Sequence, residues 1–89
     1  EAGAGVGSDL AINRYNDAGT FQNTPFLLER STGNLGINGS SFGSGVKVLF
    51  IGNATAPSGS PTAGGILYVE SGNLRFKGSS GTVTTIALA

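Results

Sequence analysis

The chain has no Cys, Met, Trp or His among its 89 residues. Without Cys it forms no disulfide, and its redox compartment cannot be read. Without His or Cys only carboxylates remain as metal ligands, which excludes zinc chemistry in practice. Charge is also scarce, at five Lys+Arg against five Asp+Glu, or 11% of the residues. Phosphate binding needs clustered Lys and Arg to release counterions, so this balance argues against a nucleic-acid partner. It argues equally against a polybasic membrane-surface helix. No apolar run approaches the roughly 20 residues needed to cross a bilayer, and no charged-then-apolar signal segment opens the chain, so membrane insertion is not expected.

What is present is Gly, 16 residues of it, mixed with Ser, Thr and Asn between short bursts of Val, Ile, Leu and Phe. That is the composition of short strands and tight turns, and it lacks the paired nucleophiles and bases of an enzyme. The length fits one domain at most. Because the chain opens on Glu1 and holds no Met, it is expected to be a processed or ordered piece of something longer. Large apolar side chains are few for so Gly-rich a chain, and Gly loses more backbone freedom on folding than any other residue. Such a chain is expected to need neighbours of its own kind to bury enough surface.

Four regions follow from the pattern: an extended lead-in over 1–7, an N-terminal β region over 8–52, a Pro/Gly/Ser-rich loop over 53–65, and a C-terminal hairpin with a final strand over 66–89. Ser8 to Tyr15 reads two ways. Leu10 and Ile12 alternate as in a strand, whereas Ala11, Tyr15 and Ala18 fall at helical spacing behind Ser8 as a possible N-cap. The weak helix formers Asn13, Asn16 and Asp17 favour the strand. Phe21 to Arg30 is a second extended stretch, in which Pro25 fits an edge or a strand start. Leu35-Gly36-Ile37 is closed by Asn38-Gly39, a hairpin-turn dipeptide. Val46 to Ile51 is the most apolar run. With bulk on both faces it reads as a central strand or one sandwiched between subunits.

Ile66 to Glu70 and Leu74 to Lys77 flank Ser71-Gly72-Asn73 as a hairpin, and Thr82 to Ala87 supplies a last strand. Leu67, Val69, Leu74 and Phe76 share the apolar face of that hairpin. With Val46, Val48, Leu49, Phe50 and Ile51 they are the candidate subunit-interface core. Tyr68, Glu70, Arg75 and Lys77 share the opposite face. An aromatic ring beside donors suits a pyranose, so the strip of Tyr15, Tyr68, Arg75 and Lys77 is weighed as a sugar-contact surface, with Tyr68, Arg75 and Lys77 as the candidate glycan or receptor contacts. The same residues also fit an exposed strand face with snorkelling side chains. Ser31 to Gly39 and Ser71 to Gly78 echo each other through a shared Gly-Asn-Leu turn, an apolar residue two positions on, and a closing Gly.

No constellation points to chemistry. Gly3-Ala4-Gly5-Val6-Gly7 lacks the G-x-G-x-x-G spacing of a phosphate loop. Asp9, Asp17, Glu29 and Glu70 are scattered, as solvated turn and strand-face carboxylates are. No Ser is marked as a nucleophile, and no cofactor is implied.

Two stretches resemble a known family. Ser8-Asp9-Leu10-Ala11-Ile12-Asn13-Arg14-Tyr15-Asn16-Asp17-Ala18-Gly19, with Thr24-Pro25-Phe26-Leu27-Leu28-Glu29-Arg30-Ser31-Thr32-Gly33, resembles a segment common in tailed-bacteriophage tail-fibre and other virion appendage proteins. The stretch from Gly65 to Ala87 resembles the C-terminal end of such proteins. The resemblance implies an all-β fold, an intertwined homotrimeric β-prism or triple β-helix-like fibre whose three chains share short strands about one axis. It implies a virion location, other virion proteins and a host surface glycan or protein as partners, and a role in the stalk or tip for host attachment. It carries over no catalytic residue. A capsid decoration or cement trimer, and a bacterial extracellular β-rich adhesin or filament subunit, are the alternatives.

Overall fold

The computed structural model describes residues 8–89; the lead-in expected over 1–7 lies outside them. Among the described residues there are seven strands and no helix. They form two sheets, and the chain divides into two compact units, one ending at Gly52 and one running from Asn53 to Ala89.

In the first unit the strands β1 (Leu10–Tyr15), β2 (Phe21–Leu28), β3 (Leu35–Ile37) and β4 (Leu49–Ile51) lie side by side in chain order. The helical reading of 8–18 fails at Asn16. Its side-chain Oδ1 accepts from the backbone N–H groups of Ala18 at 3.0 Å and Thr20 at 2.9 Å, closing a turn that folds β2 back onto β1. Short polar side chains that bond nearby backbone in this way compete with helix and favour turns.

Pro25 sits inside β2, which is flanked by β1 and β3, rather than at an edge or a strand start. The register explains why this is tolerated. Ile12 pairs with Phe26 and Arg14 with Asn23, so Asn13 alone faces Thr24 and Pro25 in a bulge. A bulge leaves a residue out of the ladder, which is where a residue without an N–H can sit. The Pro25 carbonyl stays in use, accepting from Asn38 N–H at 3.0 Å on the β3 side.

Asn38-Gly39 turns the chain, but not into a hairpin, because β3 and β4 pair in parallel. The connection from Asn38 to Val48 therefore crosses one face of the sheet before β4 begins. Two features hold it there. Phe42 meets the Phe50 ring edge-to-face at 6.4 Å between centroids. Gly36 has no Cβ, and an added one would stand 2.0 Å from the Gly39 carbonyl oxygen.

The run Val46 to Ile51 is not one continuous central strand. Lys47 takes a left-handed conformation with φ 59°, so only Leu49–Ile51 is extended, and it lies at the sheet edge. The segment before it is placed by Asn34, whose side chain is fully buried. Asn34 Nδ2 donates to the Gly45 carbonyl at 2.9 Å, while its Oδ1 accepts from Val48 N–H at 2.9 Å. One carboxamide thereby satisfies two backbone groups of the crossing segment.

The second unit is a meander of β5 (Ile66–Glu70), β6 (Asn73–Lys77) and β7 (Val83–Ala87). Glu70 pairs with Asn73, leaving Ser71 and Gly72 as a two-residue loop with φ 49° and 82°. Positive φ at both positions is the type I′ geometry that matches the twist of the flanking strands, and Gly adopts it without a Cβ penalty. The segment from Asn53 to Gly65 holds no strand beyond a single bridge between Asn53 and Val69.

Removing the Asn34 side chain leaves the Gly45 carbonyl and the Val48 amide without partners, so Asn34→Ala is expected to cost about 3 kcal/mol of stability in urea unfolding. Gly36→Ala is expected to displace the crossing segment altogether. Loss of the amide resonances of 38–48 from their native positions, with those of the second unit unmoved, is the measurement that checks it.

Candidate assembly surface

Residues paired across neighbouring strands project to the same face of a sheet, as do alternate residues along one strand. Applied to the first sheet, the register produces two rows. Leu10, Leu28, Leu35 and Leu49 are aligned across all four strands, and Ile12, Phe26, Ile37 and Ile51 form a parallel row two residues away. These eight positions carry no polar atom on any side chain. The opposite face at this level is Ala11, Leu27, Gly36 and Phe50, over which the segment 38–48 folds.

The eight-residue face has no such cover. Leu10 and Ile12 are each 56% exposed, Leu49 57% and Leu28 41%, while Phe26, Leu35, Ile37 and Ile51 are half-buried. Scattered exposed Leu residues are ordinary on protein surfaces, but a contiguous apolar face marks an interaction site.

The second sheet repeats the arrangement with a smaller face. Leu67 opposes Phe76 and Val69 opposes Leu74, and Thr84 and Ala87 continue these two rows on β7. Leu67 and Phe76 are exposed, and Val69 and Leu74 are half-buried. The other face, with Tyr68 opposite Arg75 and Ile66 opposite Lys77, is the covered one. Lys77 Nζ donates to the Pro57 carbonyl at 3.0 Å, and Tyr68 is only 5% exposed. The 53–65 segment thus covers the face that the sequence assigns to solvent.

This placement corrects two expectations. Tyr68 and Lys77 are buried and cannot meet a glycan or receptor; of that trio only Arg75 reaches solvent, and it is held by Glu70 in an ion pair at 3.4 Å. The physical reason is that Tyr and Lys have long apolar bodies that pack under a loop, and the Lys77 ammonium finds the Pro57 carbonyl as its partner there. Val46 and Val48 lie outside any strand, exposed on the crossing segment, so they do not belong to the rows. Phe50 faces the crossing segment, opposite Leu49 and Ile51. Leu49, Ile51, Leu67, Val69, Leu74 and Phe76 stand on the two uncovered faces.

Three carboxylates are occupied within the chain. Asp9 Oδ1 accepts from Arg30 N–H at 2.7 Å, Glu29 accepts from the Thr32 hydroxyl, and Glu70 pairs with Arg75. Among the described residues no group of His, Cys, Asp and Glu is arranged to hold a metal ion.

No family model and no curated protein matches the chain. Among solved structures, a hyaluronidase from Streptomyces koganeiensis is similar at 30% identity over 88% of this chain, with a TM-score of 0.41. The chain covers 44% of that protein's length. A likeness of that degree transfers neither fold nor activity.

Tyr68→Ala is expected to cost about 3 kcal/mol, as removal of a buried aromatic does. Leu67→Ala is expected to cost under about 1 kcal/mol if its face stays open to water, and about 2 kcal/mol or more if another chain covers it. Urea unfolding of both variants at low and high protein concentration separates the two outcomes.

Proposed function

We propose that the chain is a structural segment of a tailed-bacteriophage virion, part of a tail fibre or related appendage, which assembles as a homotrimer and works by mechanical stiffness and adhesion rather than by catalysis. The observation that supports this most is the eight-residue face of the first sheet. Interfaces that form and dissociate are about as apolar as ordinary surface, whereas permanent ones resemble a domain core cut in half. A face of Leu, Ile and Phe alone belongs to the second kind. It also carries no charge that would select a differently charged partner, so it suits further copies of the same chain.

Three chains that bring such faces together share a core none of them has alone, in the manner of a β-prism or triple β-helix. The resemblance of residues 8–19, 24–33 and 65–87 to tail-fibre segments supports the virion setting. Strands interleaved about one axis make a stiff element, and three copies at its tip multiply weak contacts to a host surface by avidity.

Light scattering behind a sizing column is expected to find a mass near three times 8.8 kDa. Ile12→Glu and Leu49→Glu are each expected to reduce it to that of one chain, because they place a charge in the shared core. A wild-type monomer would overturn the assembly, and open-ended polymer would favour a filament subunit instead. Binding to empty capsids rather than to host cells would favour a decoration trimer.

A further inference from the structure

We propose that the end of the β1–β2 hairpin is a glycan-contact site, in which Tyr15 and Phe21 stack on the apolar face of a pyranose ring. The inference deepens the attachment reading above, and rests on it only for the several copies whose contacts add up. Tyr15 and Phe21 are cross-strand partners at the last pair before the turn. Their rings meet edge-to-face, 5.8 Å between centroids and 74° between planes, yet remain 56% and 53% exposed. Two aromatic planes are therefore offered to solvent at a steep angle.

The backbone is shaped to present them. The register shifts twice in this hairpin, between Ile12 and Arg14 and again between Arg14 and Tyr15. Bulges of this sort re-aim side chains. The surroundings are also fixed in advance. Arg14 Nε donates to Asn23 Oδ1 at 2.8 Å, Thr24 Oγ1 donates to Asn13 Oδ1 at 2.7 Å, and Asn16 locks the turn beyond the rings. A site ordered before binding avoids most of the entropy cost of immobilising side chains.

The shape and charge select the ligand class. Two half-exposed aromatic rings offer about 200 Å², well short of the roughly 800 Å² that each partner contributes to a stable protein interface. Among the described residues no cavity opens for a small molecule. A polysaccharide needs neither, since it lies along a convex tip and presents the same ring again to every copy. Arg14 and Asp17, close by in the sequence, contribute one charge of each sign to this end of the hairpin. Hydroxyls of a neutral sugar match that balance better than phosphate or sulfate groups do.

The test probes the full chain on an array of bacterial surface polysaccharides that includes dextran and mannan, with solution mass measured in parallel. The chain is expected to bind at least one neutral polysaccharide. Tyr15→Leu/Phe21→Leu is expected to weaken that binding by about tenfold or more at unchanged mass, because Leu keeps apolar bulk but has no ring face. Tyr15→Phe is expected to retain it. No binding to any neutral polysaccharide, or equal binding by the double Leu variant, would overturn the proposal. A change in mass in that variant would also overturn it, by making the pair a subunit contact. Ring-dependent binding by a chain of monomeric mass would uphold this site while overturning the trimer.

Discussion

A sheet with apolar side chains on both faces must be covered on both, and each unit of this chain brings one covering segment. That constraint organises the rest. The segment 38–48 folds over Gly36 and packs Phe42 against Phe50, and the segment 53–65 closes over Tyr68 and Lys77. Having covered one side, each loop leaves the other open. In the first sheet the open side holds two full rows of Leu, Ile and Phe. Hydrophobic burial dominates folding free energy, so a face of this kind leaves stabilisation unused in the single chain.

The covering segments depend on polar side chains more than on apolar ones. Asn34, directly after Gly33 and before Leu35, joins the crossing segment to β3 through Gly45 and Val48. Asn73, directly after Gly72 and before Leu74, accepts from Ala89 N–H at 2.8 Å. The Gly-Asn-Leu echo in the sequence is thus a repeated device. A Gly turn starts a strand, and the Asn beside it reaches across to hold backbone 11 to 16 residues further along the chain. Asn53 does related work, accepting from Gly72 N–H at 2.9 Å. In a chain with so few charges, carboxamides supply the fixed points because they both donate and accept without the desolvation cost of an ion.

Local signals carried the sequence reading well where the structure is itself local. The alternation of Leu10 and Ile12, the β-branched run from Val83 and the Ser71-Gly72 turn each encode their own element, and the all-β class follows from them. Non-local facts were not legible. Nothing near Asn38-Gly39 reveals that β3 and β4 run parallel, because the partner strand lies beyond the crossing segment. The left-handed Lys47 that shortens the Val46–Ile51 run donates its own N–H to the Thr32 carbonyl, and the next residue, Val48, donates to Asn34. Which hairpin face is covered was inverted, since Lys77 reads as a surface residue until Pro57 presents a carbonyl to it. The exposed pair Tyr15 and Phe21 is a cross-strand contact created by two bulges, and alternation alone does not place them together.

The parallel pairing of β3 with β4 bears on how the chain reaches its native state. The crossing segment must close before β4 has a neighbour, and loop closure costs entropy before its contacts return anything. Until then β3 is an open edge beside an uncovered apolar face, the combination that invites pairing with the wrong strand. Chains released close together in space and time would meet copies at the same stage, whereas isolated chains would linger with that edge exposed. How long that edge stays exposed is set by the closing of the crossing segment, and so by the order in which these strands are joined rather than by what they are made of.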